Sequence, residues 1–327
     1  MKYYSNYIFR IICLCMVLTA CSEDTSSTYS YDANLISMIV ADNANLSLLN
    51  VANKRTGAYE LLLEKGPYTL LAPSDAAFSL AGYTASADVN TIGLSKLTKI
   101  MSYHVLDGVY DLNKLPFIFN QEIHAHDGGK LFVTRWIKGQ DTIITVNGAT
   151  VKPTLKKATN GNLQVIDHLL EPYLFDYLND ALSNESDLTL FYQAIHRTKF
   201  QQVLSQPGTY TIYAPDNAAM AAYGLSSLQL INEKSVDELE ELVSYHIVPD
   251  RRFVYDYILT TTGTKTSETM LNGDNVSVIL LKDQTTSGSY TGIAIQGIRN
   301  TSASNLTREN MLAGNGVLHI IDQVLLN

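Results

Sequence analysis

Cysteine is almost missing from this chain: 327 residues contain three, at positions 13, 15 and 21. Residues 22–327 therefore form no disulfide and offer no thiolate as nucleophile or metal ligand, so any fold there rests on its own core. Blocks of positive charge are missing too. Lys and Arg number 23 against 32 Asp and Glu, a net charge of −9. Nucleic acid is excluded as a partner on that balance, and so is electrostatic docking on an anionic leaflet, because neither would gain counterion release or Coulomb attraction. No apolar run reaches the roughly 20 residues a bilayer span needs. A Gly-x-Ser-x-Gly elbow, a phosphate-cradling glycine loop and a two-histidine zinc helix are all absent from the sequence, which removes the common hydrolase, nucleotidase and metalloprotease readings.

What is present begins with an export signal. Lys2 and Arg10 supply positive charge, Ile11 to Leu18 is apolar, and Leu18-Thr19-Ala20-Cys21 follows. The apolar run is too short to span a bilayer and has the length of a signal-peptide centre. The pattern resembles the lipobox of bacterial lipoproteins. That resemblance implies cleavage before Cys21, a diacylglyceryl thioether on its sulfur and acylation of the new amino group. At about 0.8 kcal/mol per buried methylene, two or more chains anchor a protein where one does not. The alternative is an ordinary secretory signal with a coincidental cysteine. Removal of residues 1–20 leaves 21 basic and 32 acidic residues, a net charge of −11. Residues 21–33 read as a polar tether. Its Glu23-Asp24 either resembles the surface-export signal of lipoproteins in the Bacteroidetes, which places the chain on the outside of the cell outer membrane, or is plain solvated linker.

The rest of the chain is one module written twice. Tyr68-Thr69-Leu70-Leu71-Ala72-Pro73 returns 142 residues later as Tyr210-Thr211-Ile212-Tyr213-Ala214-Pro215, and Tyr103-His104 returns at the same offset as Tyr245-His246. Residues 46–104 laid on 188–246 without a gap give 19 identities in 59 positions. Val165-Ile166-Asp167 then matches Ile320-Ile321-Asp322 at an offset of 155, so the second copy carries 13 extra residues in between.

Local patterns predict the same order of elements in each copy. Leu46, Leu49 and Ala52, and Leu188, Phe191 and Ile195, have helical spacing. An apolar strand follows, ended by proline, and Ser74-Asp75 or Asp216-Asn217 is placed to cap the next short helix. A later helix carries the stripe Leu94, Leu97, Ile100, Met101 and His104, or Val236, Leu239, Leu242, Val243 and His246, which puts both histidines on the buried face. Ser235 and Glu238 have capping-box spacing. The remainder is strand-like: Leu131–Ile137 and Thr142–Val146 form a hairpin, Val276–Leu281 and Tyr290–Ile295 flank a longer turn, and Leu163–Leu170 and Val317–Leu326 close the copies. Asn147-Gly148 and Asn272-Gly273 are turn signals. Helices early and strands late predict an α+β fold.

Three landmarks in order, twice over, resemble the FAS1 (fasciclin) domain family. They are Ala72-Pro73-Ser74-Asp75-Ala76-Ala77-Phe78, the Tyr-His pair, and the closing Asn-Gly segment that ends in Ile166-Asp167 or Ile321-Asp322. The second copy departs from the first landmark, with Asp216-Asn217 inside it and Met220 in place of phenylalanine. The resemblance implies two tandem FAS1 domains, 34–171 and 172–327, each a β-sheet wedge of about seven strands with several helices, and a role in adhesion or extracellular binding. In animal adhesion proteins of the family an Asp-Ile pair before the closing Asn-Gly contributes to integrin binding. Leu155-Lys156 and Asn310-Met311 stand there instead, so integrin recognition does not carry over.

The chemistry-bearing residues read as structural. Tyr103, His104, Tyr245 and His246 lie on apolar stripes, which predicts satisfied core side chains. Asp167 and Asp322 recur in closing strands, where an acidic residue needs partners, and are assigned to a buried network. His124-Ala125-His126 puts two imidazoles on one strand face beside Asp127, but a metal site needs three or four converging ligands and the second copy has none here. No enzyme, cofactor or metal is expected. The reading is a lipid-anchored surface protein that presents its domains to a protein or polysaccharide ligand. The alternative is an accessory subunit of an outer-membrane glycan-uptake complex. The extended stretches Lys282–Ser289 and Thr301–Arg308 are the loops in which binding is first expected.

Overall fold

The computed structural model describes residues 32–286 and 288–327. Cys21, the signal segment and the tether up to residue 31 lie outside the described residues. Residues 34–327 form one compact unit.

In the first copy the helices are α1 (Ile36–Ala41), α2 (Ser47–Thr56), α3 (Ala58–Leu61), then α4 (Asp75–Leu80), α5 (Ser86–Thr91) and α6 (Leu94–Tyr103). The strands are β1 (Tyr68–Pro73), β2 (Val105–Asp107), β3 (Gln121–His124), β4 (Lys130–Lys138), β5 (Asp141–Val146), β6 (Ala149–Ala158) and β7 (Gly161–Ile166). The second copy repeats this with α7 (Leu178–Ser183), α8 (Thr189–His196), α9 (Phe200–Leu204), β8 (Tyr210–Pro215), α10 (Asn217–Ala222), α11 (Leu228–Glu233) and α12 (Val236–Ser244). It continues with β9 (Ile247–Val248), α13 (Val254–Thr260), β10 (Lys265–Thr269), β11 (Asn275–Lys282), β12 (Tyr290–Gln296), β13 (Ser304–Ala313) and β14 (Gly316–Ile321).

Each copy builds a seven-stranded sheet, in the orders β2-β1-β7-β6-β5-β4-β3 and β10-β11-β12-β13-β14-β8-β9. All neighbours are antiparallel except β1 with β7 and β8 with β14, which run parallel in register from Tyr68 opposite Gly161 and from Tyr210 opposite Gly316. The fold is α+β, with two tandem copies. Because strand side chains alternate, β1 and β8 are buried on both faces. Leu70 and Ala72 join Leu49, Phe78, Leu97 and Ile100 in a core under the helices, while Leu71 joins Leu106, Val133, Val146 and Ile166 in a core on the other side. The second copy has its own pair of cores.

Two details of the sequence reading are corrected. The first residue of each helical stripe is outside the core, with Leu94 56% and Val236 44% exposed, since it sits in the first turn before the helix meets the sheet. The closing strands end at Ile166 and Ile321, and the chain bends away before Leu170 and Leu326.

Candidate functional site

Each Tyr-His pair caps a helix and spends every polar atom on the fold. His104 ends α6; its Nδ1 donates to the Ile100 carbonyl at 2.7 Å and its Nε2 accepts the Leu170 N–H at 3.1 Å. His246 repeats this with the Leu242 carbonyl at 2.7 Å and the Leu325 N–H at 3.0 Å. Burial pushes both imidazoles down to about 4, which the single carbonyl bond of each only partly offsets. They are neutral hydrogen-bonded struts between a helix end and the closing segment. The Tyr103 hydroxyl donates to the Lys130 carbonyl at 2.5 Å and accepts from Asn147 Nδ2 at 2.9 Å. Tyr245 donates to the Asn275 carbonyl at 2.8 Å and accepts the Ile298 N–H at 3.1 Å. Both tyrosines thus fix the first residue of a long strand, β4 or β11.

Asp167 and Asp322 lie one residue past β7 and β14. Asp167 accepts the Thr150 N–H at 2.7 Å, the Thr150 hydroxyl and a bond from His168 Nδ1 at 2.8 Å. Asp322 accepts from the Asn305 N–H and Nδ2, both at 2.8 Å, and from the Ser304 hydroxyl at 2.9 Å. Burial alone would raise both carboxyls, but these donors outweigh it and hold them below the usual range. Both carboxylates are partly buried and hydrogen-bonded at the ends of their strands. Among the described residues no hydrogen bond joins His104 to Asp167 or His246 to Asp322.

A further side chain in the closing segment does more than its motif suggests. Asn160 Oδ1 accepts the Ile36 N–H at 3.0 Å, and its Nδ2 donates to the Leu62 and Glu64 carbonyls, each at 2.8 Å. Asn315 does the same with the Leu178 N–H at 2.7 Å, Leu204 at 3.1 Å and Gln206 at 2.9 Å. One amide therefore ties the start of the first helix and the end of the third to the sheet. The glycine that follows is forced by crowding: a Cβ on Gly161 would stand 1.8 Å from the Tyr68 carbonyl oxygen, and one on Gly316 2.2 Å from that of Tyr210.

The two copies meet along a seam of their own. The Arg251 guanidinium of the second copy stacks on Phe132 of the first and donates to the Gly314 carbonyl at 3.0 Å and the Gly316 carbonyl at 3.2 Å. Asn120 Nδ2 donates to the Arg251 carbonyl at 2.8 Å and to Asp256 at 3.2 Å, and Thr134 Oγ1 donates to Asp256 at 3.1 Å. Phe132, Phe253 and Val317 form a small apolar cluster beside them. The Asn147-Gly148 turn has positive φ at both residues, 49° and 84°. Gly148 also lies against the second copy, where an added Cβ would stand 3.1 Å from Phe253 Cβ.

A family model for the Fasciclin domain matches residues 44–172 and again 186–327. The chain belongs to the Fasciclin domain family. Human periostin is 26% identical over 282 residues, which is 82% of this chain and 28% of periostin. Human stabilin-1 is 22% identical over 303 residues, 84% of this chain and 10% of stabilin-1. Protein sll1483 of Synechocystis is 30% identical over 158 residues, 48% of this chain and 84% of that protein. The chain thus spans little more than a quarter of the first of these relatives. Among solved structures, a FAS1 domain pair from the insect cell adhesion molecule fasciclin I covers 86% of this chain and 96% of its own at 18% identity, with a TM-score of 0.40.

The extra residues of the second Fasciclin domain are distributed. Its offset from the first steps from 142 to 145 before β11, to 149 at β12 and to 155 at β13. Within the Lys282–Ser289 stretch, Lys282 ends β11 and the Asp283 N–H donates to the Ser289 carbonyl at 2.9 Å. Thr301–Arg308 is not a free loop, because Ser304 onward is strand β13, paired to β12 and β14. The connection before it is pinned as well: Asn300 Oδ1 accepts the Leu326 N–H at 2.8 Å, and Gly297 packs on the Leu326 backbone. The other candidates are dispersed. His126 Nδ1 lies 2.8 Å from Asp107 and His124 Nε2 lies 3.4 Å from Glu122, so the two imidazoles engage different carboxylates. No group of three or more His, Cys, Asp or Glu converges among the described residues. The sequence reading missed Arg251, Asp256 and His319. His319 is fully buried, stacks on Tyr213 with centroids 5.2 Å apart, accepts the Asn310 N–H at 3.2 Å and donates to the Arg252 carbonyl at 3.0 Å. Its counterpart in the first domain is Gln164, so the repeat comparison gave no signal for it.

Proposed function

We propose that this chain is a non-catalytic surface protein, held to the outer membrane by acyl chains on Cys21, that presents two Fasciclin domains to an extracellular protein or polysaccharide. One observation carries the reading: the three buried histidines, which a general acid or base in an enclosed site would be drawn from, are consumed by the fold. His104, His246 and His319 are fully buried, with both ring nitrogens bonded to backbone groups. A general acid or base needs to reach a substrate proton, and an imidazole walled in on both nitrogens does not. What the chain offers is therefore surface on a well-tied scaffold. No helix among the described residues is long and apolar enough to cross a membrane.

The test has two arms. An alkyne-tagged fatty acid fed to cells making the full chain is expected to label it, and Cys21→Ser is expected to abolish the label. The intact protein, recovered with its membrane, is then screened against arrays of glycans and extracellular proteins and by affinity purification. Saturable binding to one class supports the reading. Absence of label, or substrate turnover by the purified protein that survives without any bound ligand class, overturns it.

A further inference from the structure

The seam uses one particular face of the second Fasciclin domain, and the first domain carries the same face uncovered. The equivalence is fixed by hydrogen bonds. Tyr110 N–H donates to Thr69 Oγ1 and Arg252 N–H to Thr211 Oγ1, both at 2.8 Å. Asp111 and Phe253 then each start the helical turn that follows. Val109, Asp111, Leu155, Lys157 and Asn162 of the first domain therefore stand where Arg251, Phe253, Asn310, Leu312 and Val317 stand in the second. In the second domain this face is covered by Phe132 and the Asn147-Gly148 turn. In the first it is an open groove of about 450 Å³, to which Lys65 and Lys114 also contribute, and Val109 at its rim is 61% exposed.

The side chains that make the covered face a protein-binding one have been exchanged. Phe253 gives way to Asp111, Leu312 to Lys157, Val317 to Asn162 and Asp256 to Lys114. A second copy of this chain does not suit the groove, because its second domain lacks the matching knob. Ser277 stands at the position of Phe132, and residues 297–303, with Arg299 among them, replace the two-residue turn. What remains in the groove is cationic in a chain of net charge −9. Lys114 is partnered by Asp111 at 3.4 Å, while no ion pair among the described residues neutralises Lys65 or Lys157. Three ammonium groups, with the Thr159 hydroxyl beside them and one apolar side chain at the rim, match a chain of hydroxylated rings bearing negative groups.

We propose that this groove of the first Fasciclin domain binds an acidic polysaccharide, whose carboxylate or sulfate groups are held by Lys65, Lys114 and Lys157. This rests on the reading of the chain as an extracellular binding protein. The test uses the full chain and four fluorescent probes: oligogalacturonate, dextran sulfate, neutral dextran and a polyglutamate peptide. Salt-sensitive binding of oligogalacturonate or dextran sulfate is expected, and the stronger of the two identifies the anionic group. Neutral dextran is expected to stay free. Lys65→Ala with Lys157→Ala is expected to weaken binding by about tenfold or more through loss of two charge-assisted contacts, with an unchanged thermal midpoint. Lys65→Gln with Lys157→Gln, which keeps the side-chain stems, reports the same loss if the alanine pair folds poorly. Lys152→Ala with Lys156→Ala removes the same charge from the strand that carries Lys157, outside the groove, and is expected to leave binding unchanged. Equal weakening by the two alanine pairs, or binding of polyglutamate in preference to both acidic glycans, overturns the proposal. If neither acidic glycan binds while the intact protein still captures another extracellular ligand, the groove assignment falls and the broader binding function stands.

Discussion

The guanidinium carbon of Arg251 lies 3.7 Å from the centre of the Phe132 ring, and the two residues belong to different Fasciclin domains. Arg251 is only 5% exposed. Burial pushes it down to about 10, still charged at neutral pH. A buried cation is tolerable only when its donors and its face are satisfied. The carbonyls of Ala313, Gly314 and Gly316 take the edge of the plane, and the aromatic quadrupole takes the face. Lysine offers no such plane. The seam is thus built around a side chain that each domain satisfies only in part.

Truncating the ring isolates that contribution. Phe132→Ala removes the apolar cover of the seam without touching the Arg251 bonds to its own domain, and is expected to cost about 3 kcal/mol or more. Calorimetry of the parent should give a single transition because the domains melt together, and the variant should give two. An unshifted single transition in the variant would show that the seam carries no coupling energy.

Asp256 is expected to give the seam a pH dependence. Burial lifts this carboxyl from 3.8 to about 6, against the pull of the Phe253 N–H, Asn120 and Thr134. The folded state therefore binds the proton more tightly than the unfolded one. Its contribution is full below pH 3.8 and is lost as pH rises through 6, a swing of roughly 3 kcal/mol. In Asp256→Asn the amide oxygen still accepts from Phe253 and Asn120, and the amide nitrogen donates to a rotated Thr134 hydroxyl. The variant should match the parent at pH 4 and exceed it at pH 7 in urea midpoint. A difference that does not grow between these values would contradict the assignment.

The parts legible in the sequence were those set by short-range pattern. The stripe leading to His104 and His246, the Ser235–Glu238 box and the Asn147-Gly148 turn each follow from neighbours within a few residues, and the repeat supplied a second reading of most landmarks. The seam was illegible for the opposite reason. Phe132, Asn120, Arg251 and Asp256 have no like counterparts in the other copy, since one copy gives a knob and the other a socket. Comparison of the copies therefore hides the contact. The Thr301–Arg308 stretch looked like a loop because its polar residues lie on a strand with one solvent face, where composition and turn are easily confused.

The asparagine clasp should be one of the most costly single polar sites to lose. Asn315→Ala strands the Leu178 N–H and the Leu204 and Gln206 carbonyls near the core, and each unsatisfied buried group costs about 1–3 kcal/mol. The expected loss is roughly 3 kcal/mol or more in urea unfolding, with Asn160→Ala similar in the first domain. Asn160→Asp keeps the acceptor but turns a charge on the Leu62 and Glu64 carbonyls, so it should be no better than alanine. A loss under about 1 kcal/mol would mean that water replaces the amide.

The three buried histidines set the acid limit of the fold. His104, His246 and His319 are held down to about 4 by burial, against 6.5 in the unfolded chain. The unfolded state then binds more protons, so each contributes stability that is full above pH 6.5 and is lost as pH falls through 4, roughly 3 kcal/mol apiece. This runs opposite to Asp256, and three groups outweigh one, so stability should fall steeply from pH 6.5 to 4. His319→Gln offers a clean separation, because Gln164 already occupies the equivalent place in the first domain. Glutamine takes up no proton, so it removes the titration whether or not its amide reaches the Asn310 N–H and the Arg252 carbonyl. Urea midpoints of the variant should fall less steeply over this interval, by about one bound proton. A slope identical to that of the parent would show that His319 is charged, or solvated, in the folded protein.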